Sequence, residues 1–536
     1  MREHEARGAV IDHTAQPRVP PLALAAAGLL AATLAAVFVS QGNPVVSVAP
    51  LLLVGFGWMV WTAPLRVTAA ATLFVALFLD ADMRGVREIW SSPLEPLRVF
   101  FFENLHKVIP IQALKMSALD LLALLLTGLV IYRRAVLHPR DGHGVRSVSW
   151  LRLVLALALL GMVGGATWGM LRHGLFQQAY WQLRQPLYLP ILTFLFLASF
   201  RDMRDVRLVG AATVVAAVLK SIICIYFYEF IARRYNMRPS YVTSHGDSVL
   251  FVLALMITLI AWHEKVSAKT RWWLAASVPF VLLGLYINNR RLAWVELTFA
   301  FLAFYALTPW TFVKRTLART LIFATPALVV YLAAGWESTS SVFRPAQMVR
   351  SVVDSNVDRS SLDRDVENYN LVVTLRANPL LGSGFGHEYQ EIYKADDISN
   401  IFPQYRFIPH NSVLGLLAFG GVIFFTLMWL PITAGMYLAI RTYRMAPTPL
   451  TRTAALSVVT ALIAYTIQAW GDMGIQGWGT CFIAAASLAV VGQLAPAVGA
   501  WPSGRREPAR AAGAARRVAL APASFVATRA ANEVRP

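Results

Sequence analysis

The stretch YRFIPHNSVLGLLAFGG, residues 405–421, sets Arg406, His410 and Asn411 directly before a long apolar run. An imidazole there can take a proton from an attacking hydroxyl near neutral pH, or simply orient that hydroxyl. The His-Asn-Ser trio can equally cap the orphan amides of the helix that follows, and Asn411 or Ser412 can cap while His410 acts. A second concentration is Arg290-Arg291, in LLGLYINNRRLAWVEL. A guanidinium pair between two apolar runs is costly near hydrocarbon unless it faces a cavity or an anion. Arginine's planar fork suits bidentate phosphate binding, which makes an anion the natural occupant. His245, in VTSHGDSVL, precedes another apolar run and is a further polar candidate, with His387 and His173 behind it.

Two other motifs carry less. Asp396-Asp397 has no His or third carboxylate at ligand spacing, so a turn explains the pair better than a metal does, and neither metal nor cofactor is expected. GSGFG, Gly382–Gly386, lacks the Lys-Ser/Thr of a nucleotide loop. It reads as a tight turn in which glycine permits positive φ, with backbone amides that could still face an anion.

The elements that position these residues follow from composition. The chain has 536 residues, 57% hydrophobic and 14% charged, against about 25% charged in soluble domains. About fourteen apolar runs suit helical crossings: 20–41, 44–63, 65–80, 116–133, 149–170, 186–200, 207–229, 247–263, 271–288, 291–309, 317–335, 411–440, 453–471 and 475–495. Some short runs, such as 186–200, can be partial, and 411–440 is long for one crossing. The expected fold is an all-α polytopic membrane protein with about 12–14 transmembrane helices and one large outer loop. Short alternating strands of a barrel do not appear. Cys224 and Cys481 lie inside apolar runs, which argues against a disulfide framework.

The net charge of +19 invites a nucleic-acid reading, and the placement of the positive residues decides against it. RRAVLHPRDGHGVR, RDMRDVR, HEKVSAKTR, KRTLAR, RTYRMAPTPLTR and the tail GRREPARAAGAARR all fall on one side of the spans. By the positive-inside rule that side is cytoplasmic, as are both termini. The expected division is a cytoplasmic segment 1–19, helices over 20–335, a large periplasmic loop 336–410, helices over 411–495 and a basic, disordered tail 496–536 that can touch anionic lipid. YNLVVTLRANPLLG within the loop reads as a short amphipathic helix ended by Pro379 and Gly382. Arg172, Arg184, Arg233, Arg234, Arg238, Arg344, Arg350, Arg359, Arg364, Arg376 and Arg406 occupy the outer side, where most are explained by solvent, acidic partners or lipid headgroups.

With these features assembled, the chain resembles the O-antigen ligase/polymerase superfamily. NPLLGSGFG resembles a segment late in that family's large periplasmic loop, and PHNSVLGLLAFGGVIFF resembles its His-Asn entry to the next span. NNRRLAW resembles its Ser-Arg-Gly-Ala-Trp segment, aligning Arg291 and Trp294, with Arg290 in place of a small residue and Leu292 in place of the glycine. The resemblance runs from about residue 240 to 440.

It implies a metal-independent, inverting, membrane-embedded glycosyltransferase of GT-C-like architecture in a bacterial inner membrane. The implied donor is a glycan on undecaprenyl diphosphate. Arg291, with Arg184 and Arg290, would hold the diphosphate, and His410 would activate or position the acceptor hydroxyl. Arg406, His245 and Asn411 are further substrate-binding candidates. The acceptor would be lipid A-core in a ligase, or a second lipid-linked repeat unit in a Wzy-type polymerase. A flippase or polysaccharide transporter is the alternative of another class; it would call for mid-membrane charges and repeated halves, neither of which stands out in the sequence, and the large one-sided loop fits an enzyme better.

Overall fold

The computed structural model describes residues 21–39, 51–79 in part, 94–105, 115–132, 148–237, 241–343, 346–350 in part, 359–394, 396–400 and 402–501. The segment 1–19, the basic connector at 133–147, Arg238, Arg344 and the tail from residue 502 lie outside the described residues. No strand occurs among those described, and the chain is an all-α polytopic membrane protein.

Fifteen helices carry the argument: α1 (Pro21–Val39), α2 (Leu65–Leu79), α3 (Glu95–Phe102), α4 (Ala118–Tyr132), α5 (Ser149–Leu171), α6 (Phe176–Ser199), α7 (Met203–Tyr226), α8 (Gly246–His263), α9 (Ala268–Asn288), α10 (Arg291–Leu307), α11 (Phe312–Gly335), α12 (Arg359–Ala377), α13 (Ser412–Met445), α14 (Pro449–Gly471) and α15 (Trp478–Ala497). Among the described residues, eight helical segments are long and apolar enough to cross a membrane, and α2 and α4 are shorter apolar helices. Starts are fixed by side-chain caps at the short connectors. Ser267, Thr311 and Thr448 each accept from a first-turn amide, and Asp202 and Asp205 form a reciprocal capping box on α7.

The enclosed centre of the bundle is α8, α14 and α15, whose spans are mostly buried, whereas α11 packs least. α14 lies against α8, α10, α13 and α15, and α12 packs on α13. On α5, Gly161 and Gly165 abut Phe424, and Gly165 and Gly169 abut Phe385. Small residues four apart let α13 and the segment after α12 approach α5 closely, as membrane helices commonly do.

Three elements differ from the sequence expectation. α6 begins at Phe176, ten residues before the apolar run at 186, because its polar first turns FQQAYWQLRQ find protein partners. Gln182 donates to the Phe407 carbonyl at 2.8 Å and accepts from the Gly386 amide at 2.6 Å. α12 begins at Arg359, ten residues before YNLVV. α13 spans 34 residues and is broken at Gly421 (φ 58°).

That break is stitched to GSGFG. Ser383 and Gly384 donate to the carbonyls of Ala418 and Phe419 at 3.0 and 2.8 Å, and Val422 and Ile423 donate to Pro379 and Leu380 at 2.9 and 3.0 Å. Carbonyls and amides freed by the kink thereby keep partners, as hydrocarbon demands. Gly382 (φ 70°), Gly384 (φ 92°) and Gly386 (φ 95°) make the turn.

Candidate active site

The arginine pair is placed by a sharp junction. Asn289 adopts a left-handed conformation (φ 54°) that ends α9, Arg290 is extended, and α10 opens at Arg291 with no side chain capping its first turn. His245 stands directly before α8, which also lacks a side-chain cap. α8 and α10 pack together, so two helix N-termini, each carrying partial positive charge, open at the same end of the bundle. The 241–245 segment is tied to this junction because Asn288 Oδ1 accepts the Thr243 amide at 2.9 Å. Arg290 stacks on Tyr241, its guanidinium carbon 3.5 Å from the ring centroid. Burial pushes the Arg290 guanidinium down to about 10, against the pull of Asp472 and Tyr241, which still leaves it charged at neutral pH. Arg291 Nη1 reaches Ser361 Oγ of α12 at 3.5 Å.

Asp472, immediately after α14, is buried and central. Its carboxylate bonds His245 Nδ1, lies 3.9 Å from Arg364 Nη2, and accepts the Met473 amide at 2.8 Å. Burial alone would raise this carboxyl, but His245 and Arg364 hold it well below the usual carboxylate range. His245 moves down from its ordinary value: burial is the main cause and the charges of Arg290 and Arg364 add to it, outweighing Asp472.

His410 has a separate carboxylate. Glu367 of α12, itself buried, lies 3.2 Å from His410 Nδ1 and accepts the His410 backbone N–H at 3.0 Å. Burial disfavours the imidazolium here as well, yet the hydrogen bond and charge of Glu367, with Asp472 adding, carry His410 above its ordinary value. Asn411 takes the capping role, accepting the Leu414 amide at 3.0 Å. The imidazole is therefore not the cap of α13. Neither Nε2, of His245 or of His410, has a hydrogen-bond partner among the described residues.

These contacts form one chain: His245, Asp472, Arg364, then along α12 to Glu367 and His410. Ser361, Arg364 and Glu367 are spaced three apart, so one side of α12 meets Arg291, Asp472 and His410 in turn. Asp472 and Arg364 act electrostatically on both imidazoles.

Two sequence candidates are engaged elsewhere. Arg184 is buried in an ion pair with Asp120 of α4, reaches Asn104 Oδ1 at 3.3 Å, and lies over Trp181 and Trp478. Arg406 pairs with Glu391 at 2.9 Å and Glu388 at 3.6 Å. His387 Nε2 meets the Gly169 carbonyl at 3.2 Å. All five amides of GSGFG are occupied inside the protein, by Asn378, Ala418, Phe419, Gly165 and Gln182 in order, so this turn is a fastening and not an anion cradle. Asp397 accepts from the Ser399 amide at 2.9 Å, as a turn residue does.

Asp472 and Glu367 are the partners that sequence reading missed, and Arg364 is grouped there with the outer arginines explained by solvent, acidic partners or headgroups. Asp472 had a visible signal, a lone carboxylate ending an apolar run on the loop-bearing face. Glu367 and Arg364 lie among many charges in RSSLDRDVENYN, where nothing marks them out.

Comparison with curated proteins finds no match. Residues 276–428 match the family model Wzy_C, described as O-antigen ligase, and the matched stretch contains Arg290, Arg291, Arg364, Glu367 and His410. His245 and Asp472 lie on either side of it. The matched domain at residues 276–428 supports the O-antigen ligase/polymerase superfamily.

Proposed function

We propose that this protein is a membrane-embedded inverting glycosyltransferase that moves a glycan from undecaprenyl diphosphate to an acceptor hydroxyl at the periplasmic face of the inner membrane. The observation that carries the reading is the arginine-bearing α9–α10 junction linked through α12 to a histidine buttressed by a buried carboxylate. Arg290 and Arg291, beside two helix N-termini, supply the charge and the forked donors that a diphosphate needs. The same groups strengthen their hold as negative charge develops on the departing phosphate.

His410 Nε2 receives the acceptor proton, while Glu367 on Nδ1 fixes the ring and stabilises the imidazolium that forms. The acceptor oxygen then attacks the anomeric carbon in line with the leaving diphosphate. The displacement is single, with inversion at the anomeric carbon, as the family resemblance implies. Breaking the glycosyl diphosphate bond drives the reaction without ATP.

The ligase reading has lipid A-core as the acceptor. Purified protein given the lipid-linked donor with lipid A-core alone should yield glycosylated lipid A-core. Elongation of the lipid-linked glycan without lipid A-core would overturn the ligase reading in favour of a polymerase.

A further inference from the structure

The proposed reaction uses one imidazole, yet the site holds two, each fixed at Nδ1 by its own buried carboxylate. They differ in surroundings. His245 stands at the arginine junction: Arg290 acts on it electrostatically, Tyr241 lies with its ring 6.0 Å from the imidazole, and the uncapped N-terminus of α8 begins at the next residue. The charges that bear most on His410 are those of Glu367, Asp472 and Arg364. Tyr241, on which Arg290 stacks, faces His245, so His245 stands at the arginine junction, and Asp472 and Arg364 lie between it and the Glu367–His410 pair.

We propose that His245, held by Asp472, is the proton donor to the leaving diphosphate, which makes the site a two-imidazole device for displacement. This rests on the glycosyltransferase reading above. As the acceptor oxygen forms its bond to the anomeric carbon, its proton goes to His410 Nε2. The bond from the anomeric carbon to the phosphate oxygen breaks, and its electron pair stays on that oxygen, which takes the proton from His245 Nε2. Solvent then removes one proton from His410 and returns one to His245.

Asp472 is the positioning residue of this pair. Its hydrogen bond at Nδ1 turns Nε2 outward, as a carboxylate orients imidazole elsewhere. Burial, with the charges of Arg290 and Arg364, lowers His245 from its ordinary value despite Asp472. A bound diphosphate adds negative charge beside the ring and favours its protonation, so the donor loads its own acid.

The test compares two lipid-linked donors of nearly the same shape, one with a methylene and one with a difluoromethylene group bridging the phosphorus atoms. The methylene donor has the less acidic leaving group and depends more on protonation. In His245→Gln, transfer from the methylene donor should fall about tenfold or more below transfer from the difluoromethylene donor, relative to wild type, within the usual contribution of general acid catalysis. Asp472→Asn should show the same selective loss, and decides the matter should His245→Gln fold poorly. His410→Gln should slow both donors equally. Equal slowing of both donors in the His245 and Asp472 variants would overturn the proposal while leaving the glycosyltransferase reading intact. A wild-type protein that transfers from neither these donors nor the natural one would overturn that underlying reading instead.

Discussion

Glu367 holds His410 twice, accepting its backbone N–H at 3.0 Å and facing its Nδ1 at 3.2 Å, so one buried carboxylate sets both where the histidine stands and how its ring is turned. Replacing Glu367 by Gln keeps an acceptor of the same size but removes the charge that stabilises an imidazolium. Glycan transfer should fall about 10²-fold, in the range typical of general-base catalysis, with little change in donor KM. Steady-state kinetics of the purified variant check this.

The same contact sets the pH profile. Glu367 raises His410 above the ordinary histidine value of about 6.5. A base must be neutral, and the neutral fraction grows as pH climbs through the raised value. Activity should therefore rise on an alkaline-shifted limb, with its midpoint above that of a free imidazole. In Glu367→Gln the limb should move to lower pH, which a kcat/KM profile reads directly.

Arg290 and Arg291 should act on the donor. Each contact to a charged phosphate is worth about 1.5–3 kcal/mol, or roughly 10- to 100-fold. Arg291→Ala should raise donor KM or lower kcat/KM by that factor. Lys should restore only part at either position, because a point charge cannot reproduce the fork, and at Arg290 it also loses the flat stack on Tyr241. Donor titrations with each variant check it.

Arg184 should behave otherwise. Its guanidinium is buried against Asp120, so Arg184→Gln strands a carboxylate and should cost about 3–5 kcal/mol of stability. Adding Asp120→Asn should recover part of that loss. Thermal unfolding in detergent separates this outcome from a donor-binding role, which would change KM and leave the melting temperature alone.

Gly384→Ala tests the fastening. Its φ of 92° lies in the region that disfavours side chains, and a Cβ would run into the backbone of Gly169. Backbone strain alone costs about 1–2 kcal/mol for a residue driven into left-handed space, and the clash adds to it. A lowered melting temperature should result, since GSGFG joins the kink in α13 to α5.

Apolar runs made the membrane class and most helices legible, because burial in hydrocarbon demands long uninterrupted stretches. α6 escaped at its start, where Gln182 and Arg184 interrupt the apolar pattern and are satisfied by residues more than sixty positions away. His410 was legible because a polar residue at the threshold of a span is conspicuous, and Arg290-Arg291 for the same reason. Glu367 was not, since its value lies in facing a residue 43 positions later. Pairings of that kind come from the packing of α12 on α13 and leave no mark in local composition. Arg184 drew attention as a cation at the outer side, and its pairing with Asp120, 64 positions earlier on α4, is invisible in local sequence.

The central claim meets its most direct test in one assay. Purified wild-type protein is given an undecaprenyl-diphosphate-linked glycan and an acceptor, and transfer is compared with that of folded His410→Ala. The account predicts transfer by the wild type, with inversion at the anomeric carbon, and a loss of about 10²- to 10⁴-fold in the variant. Transfer by His410→Ala at close to the wild-type rate would contradict it.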